Sequence, residues 1–269
     1  MKIALCFSGQ VRDFQANVQS LNKHILAHLG QHQVYSFCHA PAGGGDPASA
    51  GLLFTAKDIE ASEPDSFVFI KPTNVLHDVE ARPWNKSDPL SGYVRQLRSI
   101  YLANQLQSQY AAANGFSFDL VFRLRFDNLY ISPLEPLESI DRSCLYLPAH
   151  DSWGGYNDRF AFGTPEIMDV YCNRFLCLAD YLTEGLFVHP ETFLATHLDR
   201  FRVPVRHTQL VHHLYRHGTL SKACFKPEQG DDPSFSPSQP FMRWRFQVKK
   251  HLGENLYYQL AILWWKLGL

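Results

Sequence analysis

Phe118-Asp-Leu-Val-Phe-Arg-Leu-Arg-Phe-Asp-Asn-Leu-Tyr-Ile131 is an apolar run that collects charge at every second position near its end. Read as a strand, its side chains alternate between two faces, so Leu120, Phe122, Leu124 and Phe126 share one. Val121, Arg123, Arg125 and Asp127 share the other. Two guanidiniums and a carboxylate on a buried sheet are expensive unless they meet partners. In an open α/β sheet, ligands bind beyond the carboxyl ends of the strands, which is where these charges accumulate. Paired arginines suit phosphate, and a neighbouring carboxylate suits a divalent metal or a sugar hydroxyl. An internal salt bridge at a strand end is the competing reading.

Working outward, Lys2–Phe7 reads as a buried strand ending in Ser8-Gly9-Gln10-Val11-Arg12. Phe14, Val18, Leu21, Ile25 and Leu29 then follow at helical spacing, closed by Gly30. Gln33–His39 is a second strand and Ser66–Ile70 a third, separated by a Gly/Ala/Pro-rich loop over Ala40–Gly51. This is the pattern of a parallel sheet with crossover helices, an α/β fold. Val94–Asn114 is the clearest helix, with Leu97, Ile100, Tyr101, Leu106 and Tyr110 on one stripe. Beyond the central run, Ser143–Leu147 and Phe160–Gly163 read as strands, and Pro165–Tyr181 and His189–Leu198 as helices. The expected organisation is one catalytic domain over 1–225, a Pro/Ser/Asp-rich linker over 226–240 and a separate tail over 241–269.

Composition narrows the class. A chain of 269 residues is ample for a sizeable core, and a net charge of −1 gives no broad attraction to nucleic acid, so no nucleic-acid partner is expected. The six cysteines show no CxxC pair or zinc-like spacing and read as reduced, buried thiols of a cytoplasmic protein. Met1–Phe7 is too short an apolar stretch for a signal peptide. GxSxG, Walker A and GxGxxG patterns are missing, which counts against hydrolase, P-loop and dinucleotide readings.

Several residues could carry chemistry. Ser8, Gly9 and Arg12 lie at the first strand-to-helix junction, where a phosphate cradle or a plain tight turn would both fit. Asp127 is followed by Asn128, so a metal there would have one certain carboxylate and would need water and ligand phosphates for the rest; Mg²⁺ or Mn²⁺ tolerates that. Asp158 follows Gly154-Gly155, whose backbone would let a ligand approach closely, and Glu191 lies in the first turn of a helix, where the dipole alone favours a carboxylate. Both are candidates for deprotonating a sugar hydroxyl. His213 and His217 have helical i, i+4 spacing but no acidic ligand between them, so ordinary histidines are the better reading. In the tail, Leu252, Leu256, Leu260, Leu263 and Leu267 form an apolar stripe beside Trp264, Trp265 and several Lys and Arg. That composition suits either a peripheral membrane surface or packing on the chain's own domain.

Five segments together resemble the small bacterial and viral glycosyltransferase-like proteins of GT-A type associated with surface polysaccharide or lipopolysaccharide synthesis. They are Ala4–Arg12, Gln96–Asn104, Phe118–Asp127, Asn157–Gly163 and His189–Glu191, in that order over roughly residues 1–200. The resemblance implies a GT-A-like sheet and a nucleotide-sugar donor contacted by Ser8, Gly9, Arg12, Gln96, Arg123 and Arg125. Asp127 would bind the divalent cation, Mn²⁺ or Mg²⁺, where such enzymes carry Asp-x-Asp; only Asp127 matches that acidic signature. Asp158 and Glu191 are the expected catalytic carboxylates, and the acceptor is expected to be a glycan or glycolipid. Two other readings are a sugar nucleotidyltransferase and a non-catalytic carbohydrate-binding protein on a degenerate transferase fold. The expected location is cytoplasmic, peripheral on the inner membrane face if the tail binds lipid.

Overall fold

The computed structural model describes residues 1–10, 13–39, 67–69, 89–152, 155–184, 189–216 and 218–220. Arg12, the linker over 226–240 and the tail over 241–269 lie outside the described residues, as does the loop expected over Ala40–Gly51. Among the described residues, no helix is long and apolar enough to cross a membrane.

A seven-stranded sheet forms the centre. It takes in β1 (Lys2–Ser8), β2 (Gln33–His39), β3 (Phe67–Phe69), β4 (Leu120–Leu124), β6 (Leu145–Pro148), β7 (Ala161–Gly163) and β8 (Val205–Thr208). The spatial order is β3-β2-β1-β4-β7-β6-β8. The pairs β3–β2, β2–β1, β1–β4 and β6–β8 are parallel, whereas β7 runs antiparallel to both β4 and β6. The result is a mixed α/β fold with a mostly parallel sheet flanked by helices. A smaller sheet contains β5 (Asn128–Tyr130), β9 (His212–Arg216) and β10 (Thr219–Leu220).

The alternation in the central run explains the layering. Leu120, Phe122, Leu124 and Phe126 all enter one core with Ile3, Leu5, Phe7 and the α1 residues Phe14 and Leu21, where α1 is Phe14–His24. The strand itself stops at Leu124, and Arg125-Phe126-Asp127 turns into β5. The side-to-side alternation nevertheless persists, with Phe126 stacked on Phe7 at 5.6 Å between ring centroids. Sheet register on the far side is marked by aromatic pairs across neighbouring strands. Phe122 faces Phe162 and Phe162 faces Tyr146, with near-parallel rings 4.8 and 4.7 Å apart.

The other layer contains α2 (Pro89–Ala113), lying along β1 and β2, and α3 (Pro165–Asn173), lying along β4 and β7. Tyr93 and Leu97 of α2 share a second cluster with Leu178 and Tyr181 of α4 (Leu178–Thr183) and Phe193 of α5 (Pro190–Arg200).

Two helix expectations are corrected by tertiary contacts. The first helix ends at His24 rather than Leu29, because the His24 carbonyl accepts from the distant Leu134 N–H at 2.8 Å; a 3₁₀ turn over Leu26–His28 follows. The helix expected over Pro165–Tyr181 is split into α3 and α4. The Tyr171 carbonyl accepts from the Arg174 guanidinium at 2.9 Å, where an unbroken helix would place the N–H of Phe175. The helical spacing of His213 and His217 has no helix behind it among the described residues: His212–Arg216 is a strand paired antiparallel with Asn128–Tyr130, and His217 lies outside the described residues. His212 and His213 are buried there, as ordinary core histidines would be.

Candidate functional site

The sheet order creates a topological switch beside β1. The chain passes from β1 to β2 and β3 on one side, then returns through α2 to β4 on the other. The carboxyl ends of β1 and β4 therefore diverge at one edge of the sheet, the location at which open α/β sheets bind ligands. Cys6 pairs with Arg123 and Phe7 with Leu124, so Ser8-Gly9 and Arg125 leave the sheet side by side.

At the β1 end, Gly9 adopts φ +104°, a left-handed conformation in which a side chain would be strained. Its N–H donates to Ser99 Oγ on α2 at 2.9 Å, and Ser99 Oγ donates to the His39 carbonyl at 2.7 Å. A hydroxyl has one proton, so the 3.0 Å contact with His39 Nδ1 requires that Nδ1 be the donor. Burial, then the Arg98 charge, pushes His39 down to about 4, and the imidazole is neutral at ordinary pH. Ser8 is buried, and its hydroxyl has no hydrogen-bond partner among the described residues.

At the β4 end, one continuous polar chain joins several of the residues expected from sequence. Arg125 donates through Nε to Asp127 Oδ1 at 2.7 Å and through Nη2 to Asp127 Oδ2 at 2.9 Å. Its Nη1 donates to Gln96 Oε1 at 3.2 Å, and Gln96 Nε2 donates to Asp158 Oδ2 at 2.7 Å. Asp158 then faces the Arg174 guanidinium at 3.7 Å. Asp158 reaches this edge because β7 runs antiparallel to β4, which places the segment before β7 beside the end of β4. Gln96 and Ser99 are three residues apart on α2, so one helix face serves both strand ends.

Arg216 on β9 completes the cluster and was not legible from sequence. It donates through Nε to Asp127 Oδ2 at 2.8 Å, while the Tyr215 N–H donates to the Asp127 carbonyl at 2.9 Å. Burial alone pushes the Asp127 carboxyl up, but Arg125 and then Arg216 outweigh it and hold it far below the usual carboxylate range. Arg174, fully buried with its guanidinium 4.0 Å over the Tyr171 ring, was also missed. A buried arginine just past a short helix has no periodicity signal of its own.

Arg123 differs from Arg125 and Arg216, which Asp127 holds, and resembles Arg174, whose Nε and Nη2 also lack a hydrogen-bond partner among the described residues. Arg123 is 1% exposed, and its Nε and Nη1 have no hydrogen-bond partner among the described residues. Burial lowers the tendency of this guanidinium to hold its proton, and Arg125 and Arg174 add repulsion against the attraction of Tyr171 and Asp158. Glu191 stands apart from the polar chain. Its Oε2 lies 3.0 Å from His189 Nδ1, an ion-pair approach without an aligned hydrogen bond. Its backbone carbonyl accepts from the Tyr156 N–H at 3.1 Å, tying α5 to the segment that carries Asp158. Gly155 permits this approach, since a Cβ there would lie 2.0 Å from the Glu191 carbonyl oxygen. Tyr93 Oη adds a second tie by donating to the Pro190 carbonyl at 3.3 Å.

A divalent cation does not fit the donors gathered here. Both Asp127 oxygens are taken by guanidiniums, Asp158 is held by Gln96 and Arg174, and no cluster of three metal-ligating side chains converges among the described residues.

The chain is an α/β protein with charge gathered at the switch point of its sheet, the edge at which open α/β sheets bind ligands. Residues 1–216 match the family described as a domain of unknown function (DUF7796), and the chain belongs to that family. No curated protein matches it. Among solved structures, the chain is similar to the apo-form glycosyltransferase GlyE of Streptococcus pneumoniae TIGR4, at 12% sequence identity and a TM-score of 0.45. The match covers 76% of this chain and 45% of the GlyE chain. A likeness of that degree lends neither a residue nor an activity to this chain.

Proposed function

We propose that this protein is a glycosyltransferase that moves a sugar from a nucleotide-sugar donor to a glycan or glycolipid acceptor. The observation that carries the proposal is the excess of guanidinium at the β1/β4 switch, with Arg123 buried and lacking a hydrogen-bond partner at two of its nitrogens among the described residues. A buried cation of that kind costs several kcal/mol unless an anion arrives to meet it. Diphosphate is such an anion, and it is the leaving group when a nucleotide sugar gives up its sugar.

In this reading the Gly9 turn contacts the nucleotide, as Arg12 is proposed to do. Arg123 and Arg125 offset the charge that develops on the departing diphosphate. Asp127 positions Arg125 and Arg216 between them. Of the two carboxylates expected to handle the acceptor proton, Glu191 is favoured. Asp158 is already engaged by the Gln96 amide and the Arg174 guanidinium, whereas Glu191 Oε2 lies 3.0 Å from His189 Nδ1 and accepts no hydrogen bond among the described residues, so it is open to an acceptor hydroxyl. Asp158 orients the acceptor or donor hydroxyls through Gln96.

The test is thermal unfolding across nucleoside diphosphates and nucleotide sugars. A ligand present at about 100 times its Kd adds roughly 2.7 kcal/mol. A response selective for one nucleotide base supports the proposal; a flat response to every member of the panel contradicts it.

A further inference from the structure

We infer that the diphosphate is neutralised by guanidiniums alone, with no divalent cation in the site. The inference rests on the nucleotide-sugar reading for the identity of the anion, and on charge counting for the rest.

Among the described residues, which do not include Arg12, four guanidiniums belong to the network: Arg123, Arg125, Arg174 and Arg216. Two carboxylates, Asp127 and Asp158, stand against them. Four positive charges against two negative leaves an excess of two. The diphosphate of a nucleotide sugar carries two negative charges, so it balances the site as it stands. Adding a divalent cation would instead raise the excess to four in surroundings where most of these groups are buried, a strongly unfavourable arrangement. The neighbouring His212 offers no relief, because burial, with the charges around it, holds its imidazole neutral.

The geometry agrees with the count. A cation would have to displace Arg125 from a two-point grip on Asp127, at 2.7 and 2.9 Å, and Arg216 from a third contact at 2.8 Å. Arginine forks match phosphate oxygens directly and need no bridging ion. Arg123, whose Nε and Nη1 lack protein partners among the described residues, supplies two donors for the anion.

The experiment is calorimetric titration of inorganic pyrophosphate and of nucleoside diphosphates into the full chain, in EDTA and in millimolar Mg²⁺ or Mn²⁺. Binding in EDTA that the metals tighten by less than about threefold supports the inference, since one 1.4 kcal/mol step is tenfold. Binding seen only with metal, or tightened more than tenfold by it, overturns the inference and leaves the nucleotide-sugar reading standing. Pyrophosphate binding in EDTA without any nucleotide binding supports the metal-free anion site and removes the nucleotide-sugar reading. Binding of neither anion in either buffer overturns both. Arg123→Met should weaken pyrophosphate by at least 30-fold while leaving the thermal midpoint equal or higher, because it removes an uncompensated buried charge; wild-type affinity in that variant overturns the inference. Should Arg123→Met fail to fold, Arg216→Gln, at a partly exposed position, serves instead, with a several-fold loss of pyrophosphate affinity in EDTA expected and no loss contradicting.

Discussion

Arg125 grips both oxygens of Asp127, Nε to Oδ1 at 2.7 Å and Nη2 to Oδ2 at 2.9 Å, two residues along the same chain. This pair turns the end of β4 into a fixed platform: Arg216 joins it from β9, and Gln96 carries it across α2 to Asp158. Asp127 is thus an arginine holder, and a divalent cation could reach its oxygens only by displacing both guanidiniums.

Asp127→Ala should destabilise the fold by about 3–5 kcal/mol, because it leaves Arg125 buried without its carboxylate. Denaturant titration of Asp127→Ala, Arg125→Ala and the double variant measures the coupling. The expected result is a double variant less destabilised than the sum of the singles. Additive losses would mean that the pair contributes nothing beyond packing.

Acid should weaken the protein well before its carboxylates titrate. Burial lowers His39, His150 and His197 to about 4, against about 6.5 when unfolded. Between those values the unfolded chain binds protons that the folded chain refuses. Stability from these histidines is therefore complete above about pH 6.5 and falls as pH drops toward 4, by up to about 1.4 kcal/mol per pH unit for each. The Asp127 contribution is lost later, as pH falls from the usual carboxylate range, where the unfolded chain takes up the proton, down toward the lowered folded value. Chemical denaturation at pH 7.5, 6 and 5 should show a steady decline, and equal stability at all three would contradict the burial argument.

Gly155→Ala should be disproportionately damaging for a one-carbon change. Its Cβ would meet the Glu191 carbonyl carbon at 2.2 Å and the Thr192 nitrogen at 2.6 Å, all backbone that cannot swing aside. We expect a loss of more than about 2 kcal/mol with a drop in transfer rate as α5 is displaced. Near-wild-type stability and rate would show that Glu191 does not need its present position.

Glu191→Gln should lower kcat by about 10²–10⁴ if the carboxylate handles the acceptor proton. Asp158→Asn should act mainly on KM if, as proposed, that residue orients substrate through its hydrogen bond with Gln96. The reverse pattern would exchange the two roles.

Much of the fold was legible because β4 speaks twice. Its apolar face fixes the core, and its charged face marks the carboxyl edge of the sheet, so Arg125 and Asp127 are legible from the strand itself; Asp158 follows from its glycine turn and Gln96 from the family resemblance, and all four meet in one chain of contacts. Arg174 and Arg216 were missed because their roles depend on tertiary pairing. Arg216 arrives through a strand that histidine spacing disguised as a helix, and Arg174 through a helix break made by its own side chain. Glu191 was named correctly as belonging to a helix start, but its backbone tie to Tyr156 depends on a glycine contact that no local pattern reveals.

The most direct measurement is release of nucleoside diphosphate from a panel of nucleotide sugars incubated with the full chain and candidate glycan acceptors. Release is expected from one donor class, proportional to protein, stimulated by acceptor and abolished in Arg123→Met. Binding of nucleotide sugars with no release from any of them, acceptor present or not, would contradict the proposed transfer and mark the protein as a binding module on a transferase-like sheet.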